Sequence, residues 1–349
     1  MATKQPAAEQ PAAQQRPTIA SIHPAAAISG GELYIRGRNL TAAGGRAVVR
    51  FGNQTAHLVV ASDSYIVARV PDAAIVGEVA VASGGVESEF RETHLGIQIA
   101  DSLHPVANPA VDRDGNVFCT FSGSRGQKAP VSIYKVDTNY NSKPFVTDIM
   151  NPTGLAFDRE GMLYVSSRYD GIVYQITSTG NMSVYVEGMG VATGIAFDRE
   201  ENLYVGDRSG TIFKISRSRQ IYVFATLEPS IAAYHLALGP EDYLYVTGPT
   251  TSSFDAVHRI SKAGEVEMFY RGLGRPQGLA FDAAGNLYVA ASLAGHRGII
   301  RIDRNGRAEQ YLSGPGIVGL AFTPSKSIAL ATHNALYRVD AEIAGRSLS

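Results

Sequence analysis

Side chains that could carry acid–base or metal chemistry are few in this 349-residue chain. Its single cysteine, Cys119, lies in an apolar run and is expected in a strand as a small core residue. One cysteine excludes an intramolecular disulfide and a cysteine-rich zinc site. General base catalysis by a histidine would need a suitable partner group nearby, and no histidine and glutamate are spaced so that they must meet. The candidate bases in the second part of the chain are His235, His258, His296 and His333.

Two polar residues interrupt a recurring glycine and are the first candidates for a binding site. A segment of the type Gly-Leu-Ala-Phe-Asp occurs six times, and its first residue is Asn108 in the first copy and His235 in the fourth. The other copies begin at Gly154, Gly194, Gly278 and Gly319. In a ring of six copies the first and fourth are opposite, so Asn108 and His235 should face each other across the axis. They could bind a ligand or ion, or they could bond each other, the backbone or channel water.

The residue before each of these positions is expected at the mouth of the same axis, where several copies could contact one ligand. These residues are Ala107, Thr153, Thr193, Tyr234, Gln277 and Val318. The polar positions predict a ligand site, without an assigned catalytic residue or metal ligand, formed by Asn108, Thr153, Thr193, Tyr234, His235 and Gln277.

The elements that position these residues follow from the repeat itself. The six copies are spaced about 42 residues apart, and each is rich in short strands. This period predicts a propeller of six four-stranded blades rather than a helical solenoid. The recurring aspartates predict a turn-capping role, because a residue repeated once per blade does not mark a single active site. They are Asp112, Asp158, Asp198 and Asp282.

The sixth copy ends after its third strand, so residues 95–100 are expected to supply the fourth strand and close the ring. Closure would also remove an exposed sheet edge. The propeller is therefore assigned to residues 93–345. Deletion of residues 1–92 should leave it folded, whereas deletion of residues 1–102 should destabilise it.

Residues 18–92 contain short strand-like runs separated by glycine, proline and asparagine, which predicts a small β-sandwich. Residues 1–17 are mostly Ala, Gln and Pro and predict a disordered tail; residues 346–349 form a second tail. The segment 18–92 resembles an IPT/TIG domain, an immunoglobulin-like fold. The resemblance implies a spacer or binding module, and it is carried by Ile22-His23-Pro24, Ile35-Arg36-Gly37-Arg38-Asn39-Leu40, Phe51-Gly52 and Val70-Pro71.

The repeats, above all Gly278-to-Ala290 with Gly298-to-Leu312, resemble NHL and SMP-30/gluconolactonase-like six-bladed propellers, and also the streptogramin-lyase-like group. Such propellers include enzymes, scaffolds and binders. In SMP-30-like lactonases, metal ligands enter the channel from loops before the inner strands, in an Asn-Gly pattern. None of the six equivalent positions here is Asn, Asp or Glu, so those ligands do not carry over. Asn151, two residues before Thr153, is a weak substitute.

Charge and hydropathy restrict the classes of partner that can be expected. Lys and Arg number 31 against 32 Asp and Glu, and neither part of the chain has the basic excess expected of a nucleic-acid binder. No apolar run approaches the roughly 18 residues that span a membrane. With no signal-peptide core at its start, the chain is expected to be cytoplasmic, or secreted if the start site is misassigned.

These patterns predict an all-β protein, a six-bladed β-propeller with a small N-terminal immunoglobulin-like β-sandwich. The leading hypothesis is a monomeric, non-catalytic binding or scaffold protein that uses the propeller face for a protein or small-molecule ligand, without a cofactor. The alternative is a metal-dependent hydrolase or lactonase with a non-standard site and bound Ca²⁺, Mg²⁺ or Zn²⁺. The resemblance to the streptogramin-lyase-like group implies a lyase as the other possible enzyme, with a histidine base beside a Mg²⁺-binding carboxylate. A third hypothesis, RNA binding by an NHL-like surface, would need a basic face.

Overall fold

A computed structural model describes residues 15–41, 46–123, 127–252 and 254–346. Most of the two tails predicted at residues 1–17 and 346–349 lies outside these ranges. The regular secondary structure of the described residues consists of β-strands and one short 3₁₀ turn, Pro240–Asp242. Contacts divide the chain into two compact units, of which the first comprises residues 1–23 and 32–93 and the second residues 24–31 and 94–349.

Twelve strands lie before residue 101 in the described part of the chain. They are β1 (Thr18–His23), β2 (Ala26–Ala27), β3 (Glu32–Arg38), β4 (Val48–Phe51), β5 (Gln54–Thr55), β6 (His57–Ala61), β7 (Tyr65–Arg69), β8 (Glu78–Ser83), β9 (Val86–Glu87), β10 (Arg91–Glu92), β11 (His94–Leu95) and β12 (Ile97–Ala100). The first unit contains two sheets, ordered β1-β3-β7-β6 and β10-β8-β4-β5, with β9 beside β8. Alternate residues of these strands form its apolar core, including Leu33, Ile35, Val49, Phe51 and Val81.

The second unit is the six-bladed propeller, which confirms the predicted fold class. Blade 1 contains β13 (Ala110–Val111), β14 (Val117–Thr120), β15 (Ile133–Val136) and β16 (Ser142–Val146); blade 2 contains β17 (Pro152–Phe157), β18 (Leu163–Ser167), β19 (Val173–Ile176) and β20 (Met182–Val186); blade 3 contains β21 (Ala192–Phe197), β22 (Leu203–Asp207), β23 (Thr211–Ile215) and β24 (Ile221–Thr226). Blade 4 contains β25 (His235–Leu238), β26 (Leu244–Thr247), β27 (Asp255–Ile260) and β28 (Val266–Gly274); blade 5 contains β29 (Leu279–Phe281), β30 (Leu287–Leu293), β31 (His296–Ile302) and β32 (Ala308–Ser313); blade 6 contains β33 (Ile317–Phe322), β34 (Ser327–Thr332), β35 (Leu336–Asp340) and β12. In blade 6, β12 pairs antiparallel with β35 as the outermost strand.

In blades 1, 2, 3 and 5 the turn after the inner strand is held by the repeated aspartate side chain. Asp198 Oδ1 accepts hydrogen bonds from the backbone N–H groups of Glu200 and Asn202, at 2.9 and 2.8 Å. The same aspartate accepts a bond from the Asn202 side chain. Equivalent bonds are made by Asp112, Asp158 and Asp282. The turn-capping role predicted for the repeated aspartates is therefore confirmed.

Neighbouring blades are joined by aromatic contacts that the repeat encodes. The tyrosine of one blade's second strand packs edge-to-face against the phenylalanine of the next blade's inner strand. Tyr164 meets Phe197 at 4.8 Å between ring centroids, and Tyr288 meets Phe322 at 5.3 Å. Such pairs add about 0.5–1.5 kcal/mol each beyond the area they bury. Where a repeat supplies this Tyr and the next supplies this Phe, the pair thus specifies contact between the two blades.

A short segment from within the sandwich sequence belongs to the propeller unit. β2 pairs in parallel with β32 at the outer edge of blade 5, and β11 pairs with β2. Ile28, which follows β2, is 1% exposed and packs in a cluster with residues of blades 5 and 6 such as Leu312 and Val339. Because residues 1–92 include Ala26, Ala27 and Ile28, we now expect their deletion to destabilise the propeller rather than to leave it intact.

Candidate functional site

The inner strands of all six blades enclose a central cavity of about 580 Å³. This volume lies in the range of about 300–1,000 Å³ found for small-molecule sites. The residue two positions after each Asn, Gly or His of the repeat is alanine, and all six alanines line the cavity. They are Ala110, Ala156, Ala196, Ala237, Ala280 and Ala321. Their short side chains leave the channel open, and alanine at this position in every copy is a sequence signal for a central cavity.

His235 is a polar residue of this wall whose side chain has no hydrogen-bond partner among the described residues. It is 3% exposed and lines the cavity. Its imidazole makes no hydrogen bond to any residue that the structure describes. Burial lowers the pKa of His235 from 6.5 to about 4, so the ring is neutral at pH 7. A neutral imidazole offers one N–H donor and one acceptor nitrogen to a molecule in the cavity.

Asn108 also lines the cavity, but its side chain is already bonded to the inner strands of two other blades. Its Nδ2 donates to the carbonyl oxygen of Leu279 at 2.8 Å, and its Oδ1 accepts from the N–H of Leu320 at 3.0 Å. These bonds explain the glycines beside it. A Cβ on Gly278 would lie 1.9 Å from Asn108 Oδ1 and 2.6 Å from the Cα of Gly319. Asn108 therefore joins blades 1, 5 and 6 at the axis, and we call its two side-chain hydrogen bonds the Asn108 staple.

The remaining predicted site residues do not join His235 in the cavity. Thr153 and Thr193 are buried and donate to backbone carbonyls, those of Asn151 and Gly206. The hydroxyl of Tyr234 donates to the carbonyl of Glu228, and its backbone N–H donates to Thr193 Oγ1. Gln277 lines a different, smaller cleft. Of the six residues, the structure brings together Asn108 and His235.

The mouth of the cavity lies at the turn end of the inner strands. It includes Asp112, Arg113 and the C-terminal segment that ends at Arg346. This segment crosses the turns of blades 5 and 6, where the N–H of Arg346 donates to the carbonyl of Phe281 at 2.9 Å. Arg346 Nε is buried without a hydrogen-bond partner among the described residues. Burial and the neighbouring Arg199 lower the pKa of Arg346.

The other candidate residues contribute little chemistry. Cys119 is buried in β14, and burial raises the pKa of its thiol to about 12, which makes it a poor nucleophile. Asn151 is buried and donates to the carbonyl of Gly123, away from the cavity. Within the described residues, no group of three or more His, Cys, Asp or Glu is arranged to hold a metal ion. The same residues include no helix long and apolar enough to cross a membrane.

Replacement of His235 by leucine should remove an acid-dependent loss of stability. The unfolded chain takes up a proton near pH 6.5, whereas the folded ring resists protonation until about pH 4. The free energy of unfolding of the natural protein should therefore fall by about 3 kcal/mol between pH 6.5 and 4 through this group. Denaturant unfolding at several pH values gives the free energy of unfolding of His235→Leu and of the natural chain. The difference between the two should change with pH by this amount. A pH-independent difference would show that the imidazole is accessible to protons in the folded state.

Comparison with known proteins identifies one domain and the fold. Residues 17–87 match the IPT/TIG domain family, and no curated protein matches the chain. A structural-genomics protein of unknown function from Bacteroides thetaiotaomicron is 14% identical, with a TM-score of 0.59, and the match covers 95% of this chain and 98% of that one.

Two further solved structures share the architecture. An auxiliary nutrient binding protein from Bacteroides thetaiotaomicron is 11% identical, with a TM-score of 0.56, over 94% of this chain and 98% of that one. A gluconolactonase from Xanthomonas campestris is 13% identical, with a TM-score of 0.57, over 71% of this chain and 89% of that one. At such identities the likeness shows the fold alone.

Proposed function

We propose that the propeller is a non-catalytic binding unit that holds a small, largely apolar molecule in the central cavity, with one polar group on His235. The observation that carries this proposal is an imidazole, without a hydrogen-bond partner among the described residues, in the wall of a cavity of about 580 Å³. A ligand in the cavity would use the donor and acceptor nitrogens of this ring.

The composition of the wall supports the ligand class. Alanines from every blade, with leucines such as Leu236 and Leu279, leave an apolar surface around His235. Arg346 Nε and Arg113 lie at the mouth. A ligand with an apolar body and a hydrogen-bond acceptor at one end would pack its body against the apolar wall. Its acceptor would bond to the arginines at the mouth.

The chemistry of His235 supports binding over catalysis. A general base works best when its pKa is near the operating pH, and the pKa of His235 is about 4. No carboxylate bonds to its ring within the described residues, so nothing stabilises an imidazolium there. A neutral imidazole in an apolar wall is suited to hydrogen bonding with a bound molecule.

Filling the cavity should abolish binding. The dye 8-anilinonaphthalene-1-sulfonate has apolar rings and an anionic end, and its fluorescence rises in apolar surroundings. We expect one saturable site in the natural chain, and binding weaker by at least about tenfold in Ala237→Leu, because the larger side chain would project into the cavity. Fluorescence titration measures both.

The exposed Ala61, in β6, provides the matched control, and Ala61→Leu should bind the dye as the natural chain does. Equal binding by Ala237→Leu and the natural chain would contradict the proposed site. Hydrolysis of a sugar lactone by the purified protein with Ca²⁺, Mg²⁺ or Zn²⁺, together with one tightly bound metal ion per chain, would favour the hydrolase alternative instead.

A further inference from the structure

A second, smaller cleft lies at the opposite end of blades 5 and 6, away from the turns that cap the inner strands. Its volume is about 290 Å³. It is formed by the loop after β28, the ends of β30 and β31, the loop after β32 and the loop after β34. Its polar side chains are Arg275, Gln277, Ser292, Arg297 and His333, and we refer to it as the cationic cleft.

No carboxylate lines the cationic cleft. Residues 274–333, which span the wall of this cleft, contain six Lys and Arg and three acidic residues, although the whole chain has a net charge of −1. Asp282 and Asp303 cap turns at the other end of blade 5, and Glu309 pairs with Arg301. The acidic residues of this stretch are therefore engaged elsewhere.

The two arginines of the cationic cleft have no partner. Neither the Arg275 nor the Arg297 side chain makes a hydrogen bond or ion pair with any residue that the structure describes. His333 likewise makes no side-chain bond within those ranges. Arg275, Arg297 and His333, all solvent-exposed, thus line one cleft without side-chain partners among the described residues.

In the corresponding loops of other blades, arginine side chains donate hydrogen bonds to neighbouring loops. In blade 3, the Arg208 side chain donates to the carbonyls of Ser230 and Ile231, and Asp207 accepts from the N–H of Val191. In blade 2, Arg168 donates to Ser122 Oγ. Those arginines tie loops together, whereas Arg275 and Arg297 do not.

Small residues keep the cationic cleft open around the basic groups. A Cβ on Gly316 would lie 3.1 Å from the His333 ring, so a larger residue there would crowd the ring. The loop before Pro276 also holds Arg275 at a φ of 48°, in the left-handed region that a non-glycine residue seldom adopts. Strained backbone of this kind is concentrated at functional sites.

We propose that the cationic cleft binds an oxyanion, the phosphate or carboxylate group of a small molecule, between Arg275 and Arg297 with His333 beside them. The planar guanidinium group forms two parallel hydrogen bonds to either anion. This site is separate from the central cavity, so it does not depend on the function proposed for that cavity.

Isothermal titration of the full chain with inorganic phosphate and, separately, with succinate tests the proposal at about 0.15 M salt. We expect saturable binding of at least one of the two, weakened about tenfold by Arg275→Gln and by Arg297→Gln, since each removes a charge-assisted bond. The tighter of the two anions identifies the group that the site takes.

Arg307→Gln is the matched control, because it removes the same charge from the exposed turn at the other end of blade 5. It should leave anion binding unchanged, and Arg297→Gln should leave dye binding in the central cavity unchanged. The proposal is overturned if neither anion binds saturably to the natural chain, or if Arg307→Gln weakens binding as much as Arg297→Gln does.

Discussion

Ile28→Asp should destabilise the propeller by more than about 4 kcal/mol. Ile28 is 1% exposed between blades 5 and 6. The substitution removes about 1.5–3 kcal/mol of apolar burial and places a carboxylate where no partner is at hand. The missing side chains of Gly96 and Gly314 leave room for this isoleucine, and a Cβ on either would approach it within 2.8 Å. Calorimetric melting measures the loss, because the propeller accounts for most of the chain.

The exposed Ile75 offers a control of the same residue type. It is 73% exposed, so Ile75→Asp should change stability by no more than about 0.5 kcal/mol. A chain that starts at residue 93 lacks β2 and Ile28 and should melt earlier than the full chain. If that truncated chain and Ile28→Asp both melt at the temperature of the natural propeller, the segment 24–31 contributes nothing to it.

Gly278→Ala should lower the free energy of unfolding of the propeller by about 3 kcal/mol or more. The new Cβ would overlap Asn108 Oδ1 and press on the Cα of Gly319. Asn108 would have to leave, and the carbonyl of Leu279 and the N–H of Leu320 would then lose their partners. Overpacking costs about 1–3 kcal/mol, and each buried group without a partner costs a similar amount. Denaturant unfolding measures the sum.

A double-mutant cycle separates the two causes. Asn108→Ala alone should be destabilising, because it breaks both bonds of the staple. If the overlap with Asn108 dominates, Gly278→Ala should cost less in the Asn108→Ala background than in the natural chain. Strict additivity of the two changes would contradict the staple, since it would mean that residue 278 does not sense the Asn108 side chain.

Much of the architecture could be predicted because it is periodic. The spacing of six repeats indicates the propeller, and the aspartates after the inner strands indicate the turns that they cap. The departure of His235 from the glycine pattern also pointed to the axis. A local pattern is sufficient for these features, because each blade repeats the same short-range hydrogen bonds and the same contact with its neighbour.

The sequence could not show which of the predicted site residues line the central cavity and which bond to the backbone inside the blades. Thr153, Thr193 and Tyr234 were expected at the axial mouth, but their polar atoms bond to the backbone inside the blades. Which side of a strand a residue faces near a bulge depends on the local register, and the first strands of blades 2 and 3 shift register next to these positions.

The sequence by itself therefore determined the fold class, the number of blades, the turn caps and the unusual residue His235. Only the tertiary structure decided that Asn108 is bonded across three blades, that Ile28 packs in the propeller, and that Arg275 and Arg297 converge. The first two of these features join residues far apart in the chain, and 171 residues separate Asn108 from Leu279. Contacts of this kind follow from ring closure, which brings the ends of the repeat together, and no short-range pattern encodes them.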